Sequence, residues 1–378
     1  MSTMLIAGLL IATTLVTFVD AGSWKIPIQE VKRVNRKNRL DPLHDVYSET
    51  LRLDRNRYRA TVYVGMPPMP FRVMIDTGSH VLWVPKKGCR AEGRAITGNC
   101  ESGERVYDPE ESASREELNV PFRFSYGGGT SWTQGHYFKD VFSFGANMQL
   151  TEPIIFGAAE EMRNEDQGII GLGNAIKPGE LGNSILHEAW RQRVIDAPVF
   201  TMYLRRCPSS EDCENHGTIT FGSYDREMCG EVVGHVDVNP NSIHWSFEVT
   251  SFQLGLAITN TPFNVMIDSG APGIYMPSEF YTEFMEAIQA TPTESGRYVI
   301  NCDADMDVTL IINGEEYTIP QHLLLINLHN GFCSMRLYPY DRRDGLWVIG
   351  TPLGISYCIT HNFEAHTVEF APSLTRHE

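Results

Sequence analysis

Two fifteen-residue stretches of this chain repeat one another. Residues 71–85 read Phe-Arg-Val-Met-Ile-Asp-Thr-Gly-Ser-His-Val-Leu-Trp-Val-Pro, and residues 263–277 read Phe-Asn-Val-Met-Ile-Asp-Ser-Gly-Ala-Pro-Gly-Ile-Tyr-Met-Pro. Aligned without a gap, they share Phe, Val, Met, Ile, Asp, Gly and Pro. In each copy an apolar run long enough for a buried strand ends on an aspartate, Asp76 or Asp268, and a small hydroxyl residue and a glycine follow at once. Glycine (Gly78, Gly270) lets the backbone bend sharply and be approached closely, while the hydroxyl of Thr77 or Ser269 is expected to lock the turn. Apolar residues then resume, so each acid is expected between two buried strands. A lone Asp-Ser/Thr-Gly triplet carries little weight. Two copies in matching frames, 192 positions apart, point to one structural unit used twice. A second echo follows each copy, Gly168-Ile169-Ile170-Gly171 and Trp347-Val348-Ile349-Gly350.

At 378 residues the chain is long enough for two units, each with its own core. Turns rich in glycine and proline punctuate short apolar or alternating runs, the pattern of an all-β protein with few helices. A turn is expected at Gly65-Met66-Pro67-Pro68, leading into the first aspartate strand. Helices are expected over 182–192 and over 278–290, the second with Ser278 as its cap. In residues 122–132 aromatics alternate up to three glycines, Gly127, Gly128 and Gly129, which reads as a β-hairpin with a pliant tip. His361 and His366 read as surface residues of a terminal strand.

The first residues differ in character from the rest. Residues 4–19 form an apolar run followed by Val19-Asp20-Ala21, which fits a secretory signal removed after Ala21. No later run is long enough to cross a bilayer. Residues 1–59 hold ten Lys and Arg against six Asp and Glu, so they carry +4, and −20 remains for the rest of a chain whose total is −16. The basic run has no interleaved aromatics and the body is acidic, which argues against nucleic acid as a partner.

The paired Asp-Thr/Ser-Gly motifs, their echoes and the glycine-tipped hairpin resemble those of the pepsin-like aspartic proteases, and the resemblance covers nearly everything after residue 55. It implies an all-β, bilobal fold of two pseudo-twofold-related, barrel-like lobes with a central cleft and a β-hairpin flap. The implied divisions are a signal peptide (1–21), a short basic propeptide (22–47), an N-terminal lobe with Asp76 and the flap (48–200) and a C-terminal lobe with Asp268 (201–378). It further implies Asp76 and Asp268 as the catalytic pair, supported by Thr77 and Ser269. Tyr126, Gly78, Gly270, Trp83, Gly128 and Ser79 become substrate-binding residues, with Tyr126 on the flap near Asp76 and Trp83. Trp83, Tyr126 and Phe156 are expected to wall the cleft, and a loop over 156–167, with Met162, to shape its principal pocket. One of the basic-segment cations, Lys37 or Arg39, is expected on the acid pair in an inactive precursor.

Eight cysteines and a signal sequence point to disulfides in an oxidising lumen. The resemblance places Cys89 with Cys100 and Cys302 with Cys333. Cys207 with Cys213 would close a small loop, leaving Cys229 with Cys358. No metal or cofactor is expected, because neither Cys207, Cys213 and His216 nor Asp303, Asp305 and Asp307 have the spacing of a metal site. The expected partners are polypeptide substrates, the expected state is a monomer without a stable membrane anchor, and the expected location is secreted or the endosomal or lysosomal lumen. The sequence departs from the family at Ala271-Pro272, where a hydroxyl beside Asp268 is missing, and in the shortness of its basic segment. Losing that hydrogen bond is expected to move the working range toward weaker acid. The rival reading, a cleft that holds peptides without cutting them, rests on these departures and on the glycine-rich flap.

Overall fold

The computed structural model describes residues 24–27, 29–30, 57–93, 97–100, 105–144, 148–164, 168–175, 181–182, 184–206, 216–294 and 296–374. Strands dominate. One eleven-stranded sheet is drawn wholly from residues 29–171, and one five-stranded sheet from residues 246–349. A six-stranded sheet is built from Trp24–Pro27, Gly217–Phe221, Val199–Leu204, Tyr357–Asn362, Thr367–Pro372 and Gly234–Asp237. Two four-stranded sheets complete the second half. This is the all-β arrangement expected.

The duplicated stretches fold alike. The strand Met69–Asp76 runs parallel to Gly168–Gly171, with Asp76 level with Gly171, and Ile169 in turn pairs antiparallel with Trp83. In the second half Phe263–Ile267 runs parallel to Trp347–Ile349, with Ile267 level with Ile349, and Ile349 pairs antiparallel with Ile274. Each echo is therefore a strand threaded between the two arms of the loop that carries the aspartate. The crossing is tight enough to dictate glycine: a Cβ on Gly171 would stand 2.4 Å from the Val81 nitrogen, and one on Gly350 2.1 Å from the Ala271 oxygen.

Apolar packing carries this frame. Val73, Ile75, Val84, Ile170, Val265, Ile274 and Ile349 are all buried in one continuous core with Trp245 and Trp347. Burying each such side chain stabilises the fold by about 1.5–3 kcal/mol before chain entropy is counted. Among the described residues three disulfides are formed, Cys89–Cys100, Cys302–Cys333 and Cys229–Cys358. Cys207 and Cys213 lie outside the described residues, as do the signal segment and the cations Lys37 and Arg39. Part of the basic segment is described: Trp24–Pro27 forms an edge strand antiparallel to Gly217–Phe221. No helix among the described residues is long and apolar enough to cross a membrane.

Several expectations need correction. The first helix spans only Ile185–Arg191. The second, Ser278–Ala287, has Pro277 rather than Ser278 at its cap position, and the Ser278 hydroxyl and N–H both donate to the Asp341 carboxylate, at 2.7 and 2.8 Å. The presumed loop after Phe156 is mostly the strand Ile154–Arg163, paired on both sides. Phe156 is fully buried against Tyr107 and Phe138, so it is core and not a cleft wall, and Met162 is buried in the cluster around Trp83 and Phe122. The register shift between Ala159 and Glu161 puts the two on opposite faces of a strand buried on both sides, which a run without obvious period hides. His366 is half-buried, with Nδ1 3.1 Å from the Asn174 side-chain oxygen.

His361 is the larger surprise. It is buried, stacked on Phe200 with ring centroids 4.4 Å apart and set edge-on to Trp245. Burial pushes its pKa down to about 3. A histidine depressed in this way favours folding fully above its ordinary pKa and opposes it progressively as pH falls below that value. Replacing His361 with Phe keeps the stack and removes the titration. Comparing denaturation midpoints at pH 7 and pH 4.5, the His361→Phe variant should gain roughly 3 kcal/mol more at the acid pH than at the neutral one, from about two pH units at 1.36 kcal/mol each. An equal change at both pH values would contradict this.

Candidate active site

The two aspartates meet where the halves join. The hydroxyl of Thr77 donates to the Ile267 carbonyl at 3.0 Å and accepts the Ser269 N–H at 2.9 Å. Reciprocally, the Ser269 hydroxyl donates to the Ile75 carbonyl at 2.8 Å and accepts the Thr77 N–H at 3.0 Å. All four bonds are buried and each crosses from one half of the chain to the other. The hydroxyls therefore lock the partner turn and not their own, as local sequence had suggested.

The exchange brings the carboxylates face to face. Asp76 accepts the Gly78 N–H at 3.0 Å and the Ser79 hydroxyl at 2.5 Å. Asp268 accepts the Gly270 N–H at 2.8 Å, and the two carboxyl groups are hydrogen-bonded to one another. Both glycines are required by space: a Cβ on Gly78 would stand 2.5 Å from the Asp268 carboxyl carbon, and one on Gly270 2.8 Å from an Asp76 oxygen. Burial, and then the neighbouring Asp76, push the Asp268 carboxyl well above its ordinary range, partly offset by the Gly270 N–H and the more distant Arg342. Two acids in such contact cannot both ionise cheaply, so the pair holds one proton between them. The environment is lopsided. Ser79 serves Asp76, whereas the matching position beside Asp268 is the buried methyl of Ala271, packed against Met266 and Val348.

The glycine-tipped hairpin reaches across to the second half. Its arms are Glu116–Tyr126 and Ser131–Asp140, and all three tip glycines have positive φ (52°, 68° and 86°), a backbone that other residues rarely adopt. Tyr126, half-buried, accepts a hydrogen bond from Trp83 Nε1 at 2.9 Å. Trp83 itself is fully buried, so it reaches the cleft through Tyr126. At the tip, a Cβ on Gly128 would stand 2.9 Å from the Tyr340 ring, so the hairpin touches the opposite half.

Sequence reading passed over the groups that surround Tyr340. Arg342 holds Asp344 through two bonds, 2.8 and 2.6 Å long, and its Nη2 lies 3.3 Å from His244 Nε2. Burial, and then the Arg342 charge, push the His244 pKa down to about 4. The run Tyr338-Pro339-Tyr340-Asp341-Arg342-Arg343-Asp344 just ahead of the second echo was the signal available.

A family model for eukaryotic aspartyl proteases matches residues 57–373, which include both aspartates and the hairpin. The chain belongs to the eukaryotic aspartyl protease family. Among curated proteins it is similar to gastricsin of Homo sapiens, 24% identical over 330 residues that cover 83% of this chain and 81% of that one. Aspartic protease 6 of Caenorhabditis elegans is 25% identical over 333 residues, 84% of this chain and 82% of the relative. Aspartic protease 2 of Necator americanus is 22% identical over 403 residues, covering 96% and 93%.

Two outcomes follow for stability. Because the folded pKa of Asp268 lies above the unfolded one, this group opposes folding once pH rises past the ordinary carboxylate range and ceases to do so in acid. Asp268→Asn should therefore melt a few degrees higher than the wild type at pH 7, with the gap closing toward pH 3. Thr77→Val keeps shape but leaves the buried Ser269 N–H without its acceptor, and chemical denaturation should register a loss of about 1–3 kcal/mol.

Proposed function

We propose that this chain is an aspartic endopeptidase that hydrolyses peptide bonds in acid with a water activated between Asp76 and Asp268. The observation that carries the reading is the reciprocal exchange between Thr77 and Ser269, which brings two carboxyl groups into hydrogen-bond contact.

The roles follow from the asymmetry. Asp76 receives two donors, Gly78 N–H and Ser79 O–H, which suit a carboxylate. Asp268, disfavoured as an anion by burial and by its partner, carries the shared proton. A water lodged between them gives a proton to Asp76 as it attacks the peptide carbonyl, while Asp268 gives its proton to the carbonyl oxygen. The tetrahedral product then collapses: the proton taken by Asp76 passes to the leaving nitrogen as the carbon–nitrogen bond breaks, and one hydroxyl returns its proton to Asp268. Gly78 and Gly270 leave room for the peptide against both acids, and Tyr126, steadied by Trp83, closes over it with Gly128 at the tip. The working pH is acidic because the pair must retain one proton. The basic segment 22–47 is read as an activation segment, of which Trp24–Pro27 lies on the six-stranded sheet.

A second reading, that the cleft binds peptides without cutting them, draws on the buried Ala271 beside Asp268. One experiment separates the two. An unfolded protein substrate is incubated with the purified chain near pH 4, with and without a peptide inhibitor carrying a tetrahedral hydroxyl isostere, alongside Asp76→Asn. Cleavage that the inhibitor blocks, and that falls at least a thousandfold in Asp76→Asn, supports the peptidase; tight inhibitor binding without cleavage supports the binding protein. Within the peptidase reading, Ala271→Ser restores a hydroxyl beside Asp268, favours its ionised form and should move the alkaline limb of the rate profile to lower pH. An unmoved limb would contradict the assigned proton.

A further inference from the structure

We propose that Arg342 makes the cleft selective for peptides with an acidic side chain at a position adjoining the cut bond. This rests on the cleft being a peptide site, though not on its cutting peptides.

The argument starts from where the sheet delivers the residue. Leu337–Pro339 is the edge strand beside Ile274–Met276, which follows the Asp268 turn, with Tyr275 level with Tyr338, and the Tyr340 N–H donates to the Met276 carbonyl at 2.7 Å. The chain leaves this strand at the cleft mouth. Tyr340 meets the hairpin tip at Gly128, and the Arg342 guanidinium lies 6.0 Å from the Tyr340 ring centroid. On its other side Arg342 reaches His244, and the preceding Ile243 carbonyl accepts the Asn174 N–H at 3.0 Å. Asn174 follows Gly173, whose N–H donates to the Ser79 carbonyl at 2.7 Å. Arg342 thus lies between the hairpin tip and the loop that carries Asp76, and its charge acts on Asp268.

Its bonding leaves it a free donor. Asp344 takes Nε and Nη2, His244 lies against Nη2, and Nη1 has no partner among the described residues. The side chain retains 18% exposure. Planar guanidinium donors match a carboxylate, and a charged hydrogen bond in a water-poor cleft discriminates more strongly than one at an open surface. A purely structural arginine, stiffening its loop through Asp344, would affect all peptides alike. A selecting arginine affects acidic ones.

The test uses two matched sets, each with Glu or Gln beside the cut bond: peptide substrates read by kcat/KM, and inhibitors with a tetrahedral hydroxyl isostere read by Kd, both at pH 5. The wild type should favour Glu by about 5- to 20-fold, a range kept below that of a fully desolvated charged bond because Asp344 competes. Arg342→Gln should bring the Glu-to-Gln ratio to about 1 or below. Asp344→Asn, which frees the guanidinium, should raise the ratio. A loss of folded protein cancels in each ratio. The groups facing Arg342 are Asp344, His244, Tyr340 and Asp268; as pH falls below about 4.3 the substrate Glu becomes neutral and the preference should fade, even though His244 becomes charged there. A wild-type ratio near 1, or a ratio that Arg342→Gln leaves unchanged, overturns the proposal. If the isosteres bind with the expected ratio while no peptide is cut, the selectivity stands and the peptidase reading fails; if neither isostere binds, both fall.

Discussion

Four buried hydrogen bonds between Thr77 and Ser269 and the strands beneath them are the constraint on which the remainder of this molecule depends. Each hydroxyl both donates and accepts, so neither can leave without orphaning a backbone group on the opposite side. The arrangement is self-complementary because the two turns are copies of one another, and like copies related by a twofold axis satisfy each other's donors and acceptors. It fixes separation as well as orientation. The acids are thereby held at a distance their charges alone would resist.

That distance converts two ordinary carboxyl groups into one site with a shared proton. Identical acids would hold it equally, and the local bonding breaks the tie. Asp76 has a serine and a backbone amide to stabilise its charge, whereas Asp268 has one amide and an alanine methyl. The duplicated frame supplies the symmetry, and a single substitution between the copies supplies the polarity that the proposed chemistry uses.

The cleft itself is less symmetric than its floor. The first half contributes the hairpin, which the Trp83 indole steadies from below through Tyr126, and the second half contributes Tyr340 and the charged cluster of Arg342, Asp344 and His244. Beneath the site, the six-stranded sheet carries a buried histidine, His361, in an aromatic stack where a neutral ring fits and a charged one does not. A fold that keeps such a residue gives up stability at low pH, because protonating the buried ring costs more than protonating it in the unfolded chain.

Much of this was legible in the chain. The repeated apolar runs ending on Asp76 and Asp268 and the glycine-tipped hairpin follow from residue identity and order, because strand burial, tight turns and turn chemistry are local demands that a sequence states directly. The strand over 154–163 was misread as a loop, since a strand covered on both faces has no simple alternation, and His361 was misplaced because polarity in sequence says nothing about what packs above it. What the sequence by itself determined was the duplicated unit and its two acids. Which groups the Thr77 and Ser269 hydroxyls bond, and how Arg342 comes to stand beside the hairpin tip, were decided only by tertiary structure, since these contacts join residues far apart in the chain whose proximity no local pattern encodes.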